Sequence, residues 1–169
     1  WTLPAHTSLF TGLGCEEHGV TSDLCKLDAT VPTLAQLLAD AGYASLGYSA
    51  NPFVGTIYGL ARGFDRFVDA HELRTDFSAP ADWVDATPVE NDKGGADIVR
   101  RFSADLRSVP PNRPLFAFFN LTEPHHPYYP PTPFRLRYWR ELGNFDAATL
   151  DATLAASELN FNVMTGRVA

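Results

Sequence analysis

VPTLAQLLADAGYASLGYS, residues 31–49, holds the signals that decide the fold class of this 169-residue chain. Apolar residues recur at helical spacing over 31–41, with Pro32 near the start of the pattern and Gly42 directly after it. Residues 43–49 then have the character of a short buried strand. A helix, a glycine turn and a strand in this order predict an α/β fold with a largely parallel sheet.

The same pattern returns further along the chain. A helical pattern over residues 92–107 precedes LFAFFNL, residues 115–121, which is apolar enough to predict a strand covered on both faces. The carboxyl end of this strand leads to Glu123, His125 and His126. In open α/β sheets, ligands bind in the crevice beyond the carboxyl ends of the strands. The two histidines are therefore candidates for a ligand site.

The remaining segments are expected to be less regular. Turn-forming residues predict loops over 15–30 and 51–65, and an acidic stretch with prolines predicts irregular structure over 67–93. A last helix is expected over about 144–159. Arg62 and Asp65 are expected to form a structural pair.

Composition excludes several classes of protein. The net charge of −7, with no run of Lys or Arg, argues against a nucleic-acid surface. No apolar segment approaches the roughly 20 residues that cross a bilayer, and no signal peptide is visible, so the compartment stays open. Cys15 and Cys25 do not have metal-site spacing. We expect two buried free thiols, with a disulfide as the alternative.

WTLPAHTSLFTG, residues 1–12, carries the candidate chemistry. Pro4 suits the first turn of a helix, predicted over 4–13, because its missing N–H would have no helical partner there. Thr2 then lies just ahead of a helix N-terminus, where free N–H groups and the helix dipole stabilise an anion. Its hydroxyl is a candidate nucleophile, although spacing alone favours an ordinary N-cap.

Five motifs give this sequence a specific resemblance. Thr2-x-Pro4-x-His6, followed by Ser8-Leu9-Phe10-Thr11-Gly12, resembles the nucleophile signature of the sulfatase family, within the alkaline-phosphatase-like superfamily. That signature reads Cys/Ser-x-Pro-x-Arg and continues with Ala-Ser-Leu-Leu-Thr-Gly. Four further motifs resemble the family's elements in the same order: Glu17-His18-Gly19-Val20, Val31-Pro32-Thr33-Leu34 with Ala41-Gly42-Tyr43, Arg62-Gly63-Phe64-Asp65-Arg66-Phe67, and Glu123-Pro124-His125-His126-Pro127-Tyr128.

The resemblance implies an alkaline-phosphatase-like α/β domain, with a mostly parallel sheet flanked by helices. The motifs lie within residues 1–131, so we expect 1–169 to be one partial domain, incomplete in this chain. The family's paired aspartates before the nucleophile, and its Asp with Asn or His after this region, lie outside these residues. The implied activity is metal-dependent hydrolysis of a sulfate or phosphate ester of a small molecule or glycan.

The resemblance also implies a role for Thr2. It would attack the ester while bound to a divalent cation, calcium in many sulfatases, whose other ligands lie mostly outside this chain. Sulfatases proper use formylglycine made from Cys or Ser, and a threonine cannot be converted to it. A threonine suits phosphoryl transfer instead. The alternative is therefore a phosphodiesterase, a phosphonate-ester hydrolase or a phosphoryl transferase of the same superfamily.

Other site residues follow from the same motifs. His6 stands where the family has Arg, and it would contact the nucleophile or an ester oxygen, or serve only structure. His125 matches the family's anion-contacting His and would donate to an ester oxygen or the leaving group; His126 is a weaker candidate for substrate binding. Asn51 falls near the family's Gly-Lys-Trp-His run, which is missing, and would contact substrate or form a turn before Pro52.

A third hypothesis comes from these departures. The missing Lys and His, together with His6 in place of Arg, favour a catalytically inactive sulfatase-like module that binds an anionic glycan or another partner. Asn120-Leu121-Thr122 fits a glycosylation sequon, but its position at a buried strand end argues against modification. His18, before Gly19, is expected to fix a turn.

Overall fold

The computed structural model describes residues 1–73 and 93–125. The chain divides into two compact units, one made of Trp1–Asp76 with Lys93–Thr122, the other of Phe77–Asp92 with Glu123–Ala169. Every helix and strand below belongs to the first unit. The predicted helix over 144–159 and His126 lie outside the described residues.

The first unit alternates helices with short strands. The helices are α1 (Thr2–Thr11), α2 (Cys15–His18), α3 (Leu34–Asp40) and α4 (Gly95–Asp105), with 3-10 turns at Thr56–Tyr58 and Leu106–Ser108. The strands are β1 (Ala44–Ser49), β2 (Arg66–Val68) and β3 (Leu115–Asn120). No helix within the described ranges is long and apolar enough to cross a membrane.

The three strands form one parallel sheet in the order β2-β1-β3. Leu46 of β1 lies opposite Arg66 of β2, and Ser49 of β1 lies opposite Asn120 of β3. The carboxyl ends of the strands therefore meet at one edge. This arrangement confirms the predicted parallel α/β fold.

Two apolar clusters hold the unit together. Tyr48 of β1 packs in a cluster that includes Ile98 and Phe102 of α4. Phe10 of α1 packs in a second cluster, in contact with Phe118 of β3. Successive side chains of a strand point to opposite faces of its sheet, so Phe118 and Phe119 of β3 serve different clusters.

Most element boundaries differ from the predictions by a few residues. Helix α1 begins at Thr2 rather than residue 4 and ends before Gly12, which adopts φ 72°. Helix α3 begins at Leu34 because Thr33 caps it: the Thr33 hydroxyl accepts from the Gln36 N–H. Two short elements, α2 and β2, lie in segments predicted to be irregular.

Arg62 and Asp65 do not form the predicted pair. The Arg62 guanidinium instead donates to backbone carbonyl oxygens, at 2.7–3.0 Å, of Asp28, Ala29, Val31 and Gly59. Asp65 accepts from the Ser45 N–H at 3.0 Å. Both residues are structural, as predicted, but each supports backbone, because a fork of N–H donors suits a loop with several unpaired carbonyls.

Two predictions of burial were wrong. Cys15 is exposed and Cys25 is half-buried, although both are free thiols as expected. In β3, most side chains are only partly buried and Phe119 is 41% exposed. Strand β3 lies at one edge of the three-stranded sheet in the described part of the chain, so it is covered less fully than β1, whose six residues are all buried.

Candidate active site

Thr2 is the first residue of α1, and Trp1 occupies the N-cap position without a side-chain capping bond. Thr2 is therefore not the N-cap that spacing alone favoured. It is half-buried, and its hydroxyl forms no hydrogen bond with any of the described residues.

Packing fixes the position of α1. Leu3, Pro4, Thr7 and Phe10 are buried on one side of the helix. The Thr7 hydroxyl donates to the Leu3 carbonyl at 2.9 Å. The Phe10 and Phe118 rings form a T-shaped pair with their centroids 4.8 Å apart. These buried side chains therefore anchor α1 to the core, beginning at Leu3, the residue directly after Thr2.

His6 connects Thr2 with the sheet. Its Nδ1 lies 2.8 Å from the backbone oxygen of Thr2, and its Nε2 lies 2.8 Å from Nδ2 of Asn120. The His6 and Phe118 rings are also nearly perpendicular, with their centroids 6.3 Å apart. The structure therefore brings Thr2 and His6 together, but through the Thr2 backbone rather than its hydroxyl.

Asn120 is the residue of this group that sequence reasoning missed. It ends β3, opposite Ser49, and its carbonyl accepts from the Ala50 N–H at 3.0 Å. Its side-chain amide contacts His6, which agrees with the argument against glycosylation. The available signal was a lone polar residue at the carboxyl end of an apolar strand.

Asn51 lies at the carboxyl end of the neighbouring strand and forms a local turn. Its Oδ1 accepts from the Phe53 N–H at 2.9 Å, and its own N–H donates to the Ser49 hydroxyl at 3.2 Å. The first bond forms an Asx turn, the structural alternative considered for this residue, and the second forms the equivalent turn of Ser49. A substrate contact through Asn51 stays a prediction.

His18 fixes a turn, as predicted. It is buried, its Nδ1 accepts from the Val20 N–H at 3.0 Å, and its Nε2 lies 3.0 Å from the Ser8 hydroxyl. Because Nδ1 accepts, the proton of the neutral ring is on Nε2, which therefore donates to Ser8. His18 joins α2 to α1 and cannot act as a base toward Ser8.

The second pair of predicted residues follows β3. His125 is exposed and belongs to the second compact unit, as does the half-buried Glu123. His126 lies outside the described residues. The roles of His125 and His126 stay predictions.

Two comparisons identify the relatives of this chain. The family model described as Sulfatase matches residues 2–148. The chain belongs to the Sulfatase family. The matched region contains Thr2, His6, Asn51, His125 and His126.

A solved structure supports the fold of this sulfatase-family chain. The phosphonate monoester hydrolase of Agrobacterium radiobacter superimposes with a TM-score of 0.56 at 20% sequence identity, over 79% of this chain. The match covers 34% of that enzyme, so this chain spans about a third of its length. This likeness establishes an alkaline-phosphatase-like fold, present in part. No curated protein matches the sequence.

The described residues of this sulfatase-family chain do not build a metal site. No group of three or more His, Cys, Asp or Glu residues within 1–73 and 93–125 is arranged to hold an ion. Thr2 offers one hydroxyl oxygen, whereas hard cations such as Ca²⁺ take six to eight oxygen ligands. That the other ligands lie outside this chain stays a prediction.

Proposed function

We propose that the protein containing this chain hydrolyses phosphate or sulfate esters with Thr2 as the nucleophile. Membership of the Sulfatase family supports ester hydrolysis. One observation carries the assignment to Thr2: its hydroxyl is unengaged among the described residues, while His6 holds its backbone at 2.8 Å. A nucleophile needs this combination of a fixed backbone and a free reactive atom.

The start of α1 suits an anionic ester. The N–H groups of Thr2 and Leu3 have no acceptor within the helix, and Ala5 is the first residue whose N–H bonds back, to the Trp1 carbonyl. Together with the helix dipole, these N–H groups would stabilise the non-bridging oxygens of a phosphate, phosphonate or sulfate group.

The proposed reaction has two steps. The Thr2 hydroxyl gives up its proton to water as Oγ1 forms a bond to phosphorus, and the bond from phosphorus to the ester oxygen breaks. The leaving alkoxide takes up a proton, for which we propose His125 as the donor. Water then cleaves the phospho-Thr2 ester and regenerates the hydroxyl. Asn51 and His126 are proposed to contact the substrate.

A phosphonate monoester is the second candidate substrate. Thr2 carries a secondary alcohol, which cannot be converted to formylglycine, and a phosphorus ester needs no such conversion. The solved structure with a similar fold is a phosphonate monoester hydrolase. These two observations favour phosphorus esters over sulfate esters.

We also propose that a divalent cation, most simply calcium, is required. It would supply Lewis-acid stabilisation of charge at the ester when bound. Of the residues described here, Thr2 alone is proposed to contact it, so the remaining ligands are assigned to residues outside this chain.

The test compares Thr2 variants in the full-length protein. We expect Thr2→Ala to lower kcat/KM toward an aryl phosphate or aryl phosphonate by more than about 1,000-fold, because the attacking atom is removed. Thr2→Ser, which restores a hydroxyl, should keep most of the activity. Thr56→Ala removes the same group from an exposed residue in another element and is the matched control.

Covalent trapping gives a second measurement. Acid quenching during turnover, followed by mass spectrometry, should find phosphate on the peptide that contains Thr2. Activity that survives in Thr2→Ala would contradict the assignment. An inactive full-length protein that still binds an anionic glycan would support the inactive module instead.

A further inference from the structure

We propose that Asn120 is a positioning residue that holds His6 as the neutral imidazole protonated on Nδ1, and through it holds the backbone of Thr2. The proposal rests on three contacting groups in the first compact unit: the Thr2 carbonyl, the His6 ring and the Asn120 amide. The effect of Asn120 on catalysis rests on the proposed function of Thr2. The tautomer of His6 is argued from its hydrogen bonds and does not depend on that function.

The partner of Nδ1 fixes the tautomer. The Thr2 carbonyl oxygen can only accept, so Nδ1, at 2.8 Å, must carry a proton. Nε2 faces the Nδ2 atom of Asn120 at 2.8 Å, which can only donate. Nε2 therefore carries no proton, and the ring is neutral. The contacts of the two nitrogens thus require the same tautomer, and they do so with the Asn120 amide in the orientation that the structure gives it.

The sheet holds the Asn120 end of this chain of contacts. Asn120 pairs with Ser49 in the parallel ladder, and its carbonyl accepts from the Ala50 N–H. The amide is thus fixed on the β1–β3 ladder rather than on a loop. The Phe118 ring, two residues earlier on the same strand, forms a T-shaped pair with the imidazole. Strand β3 therefore places both the donor and the packing surface for His6.

This arrangement gives His6 a definite role. With both ring nitrogens engaged, His6 neither accepts the proton of the Thr2 hydroxyl nor brings a positive charge to the ester. It fixes the first turn of α1 relative to the carboxyl end of β3. Loss of the Asn120 donor would release the ring, and a shift of about 1 Å at a nucleophile can cost up to about 100-fold in rate.

The first measurement needs no variant of Asn120. Two-bond ¹⁵N–¹H correlation spectra of the ¹⁵N-labelled full-length protein report the protonation of each histidine nitrogen, and a His6→Gln spectrum identifies the signals of His6. At neutral pH we expect a protonated Nδ1 and an unprotonated Nε2. A His6 ring protonated on Nε2, or on both nitrogens, would overturn the proposal.

Two substitutions then test Asn120. Asn120→Asp replaces the donor with an acceptor, so a hydrogen bond between this side chain and His6 requires a proton on Nε2. Asn120→Ala removes the donor and should give a mixture of tautomers. The matched control is Asn112→Asp, which introduces the same charge at an exposed residue before the opposite end of β3. Its His6 signals should equal those of the unmodified chain; His6 signals unchanged in all three variants would refute the role of Asn120.

Kinetics on the full-length protein separate this proposal from that of Thr2. We expect Asn120→Ala to lower kcat by about 10- to 100-fold with a smaller change in KM, because the nucleophile is misplaced rather than removed. An unchanged kcat in an active enzyme would overturn the positioning role. If Thr2→Ala keeps full activity while the predicted tautomer is observed, the nucleophile assignment fails and the His6–Asn120 chemistry stands.

Discussion

The partners of a single ring nitrogen decide what each of two histidines can do. In His6 the Nδ1 atom faces a carbonyl oxygen, whereas in His18 the same atom faces the N–H of Val20. The two neutral rings are therefore opposite tautomers. Each uses one nitrogen on backbone and the other on a side chain, so neither is an unoccupied base. This explains why a motif match alone could not assign their roles.

Hydrogen bonding also changes the chemistry of Cys25. A bond from the Ser22 hydroxyl, followed by the backbone at Thr21 and Ser22, lowers the pKa of the Cys25 thiol from 9.0 to about 7. About half of this thiol is then thiolate at neutral pH, compared with about 1% at the ordinary value. We expect Cys25 to be alkylated much faster than an ordinary cysteine near neutral pH.

Alkylation rates against pH would measure this effect. A Cys15→Ser background leaves Cys25 as the reactive thiol, and iodoacetamide labelling should follow a midpoint near the lowered pKa. Ser22→Ala should move the midpoint upward, toward the ordinary thiol value, because the largest stabilising bond to the thiolate is lost. A midpoint that does not move in Ser22→Ala would contradict the explanation.

At the scale of elements, Gly63 allows the loop before β2 to pack against α3. Gly63 has φ +87°, and a Cβ on it would overlap the backbone of Ala35 and Gln36. Gly42, which follows α3, has the same φ of +87°, but a Cβ there meets no atom within 4 Å. The two glycines thus separate the cost of a left-handed backbone from the cost of a steric clash.

We expect Gly42→Ala to lower the free energy of unfolding by about 1–2 kcal/mol, the cost of a left-handed alanine. Gly63→Ala should cost clearly more than its matched control, because α3 must also move away from the loop. Urea unfolding of the two variants, followed by circular dichroism, makes the comparison. Equal losses would show that the close approach of Gly63 to α3 carries no energetic weight.

Local signals predicted the longer elements and not the contacts between them. Helix α3 and strand β1 carry their own periodicity and glycine stop, so they could be placed from residues 31–49. Strand β2 is three residues long and exists because it pairs with β1, which no local pattern reveals. The fold class followed from element order, whereas the burial of β3 depended on its position at the sheet edge.

The residues of the candidate site also differ in whether the sequence could bring them together. Thr2 and His6 lie four residues apart on one helix, so a motif could join them. Asn120 lies 114 residues from His6, and only the folding of β3 beside β1 brings its amide to the ring. Contacts over such sequence distances carry no periodic signal. They have to be found in the structure.

At the scale of the whole first unit, Tyr48 of β1 links the three-stranded sheet to α4. Its ring is fully buried, stacks on Phe119 of β3, and its hydroxyl donates to the Asp105 carboxylate of α4 at 2.8 Å. Asp105 also accepts from Arg66 of β2 at 2.9 Å. One buried hydroxyl thus joins elements from across the unit, so its ionisation bears on global stability.

Burial, followed by the bond to Asp105, raises the pKa of the Tyr48 hydroxyl well above its ordinary value. Above a pH of about 10 the unfolded chain releases this proton while the folded chain keeps it. The folded state then binds more protons, so the free energy of unfolding falls as pH rises, by up to about 1.4 kcal/mol per pH unit from this group. Below pH ~10 the contribution is constant.

Tyr48→Phe removes the titrating group and should flatten the alkaline decline in stability. At neutral pH it should cost only about 1 kcal/mol, because Asp105 keeps its bond to Arg66 and the ring still packs. Tyr58→Phe is the matched control, since its hydroxyl forms no hydrogen bond within the described residues. Urea unfolding across the alkaline range gives both slopes. A Tyr48→Phe slope equal to that of the unmodified chain would mean that the Tyr48–Asp105 link opens before the unit unfolds.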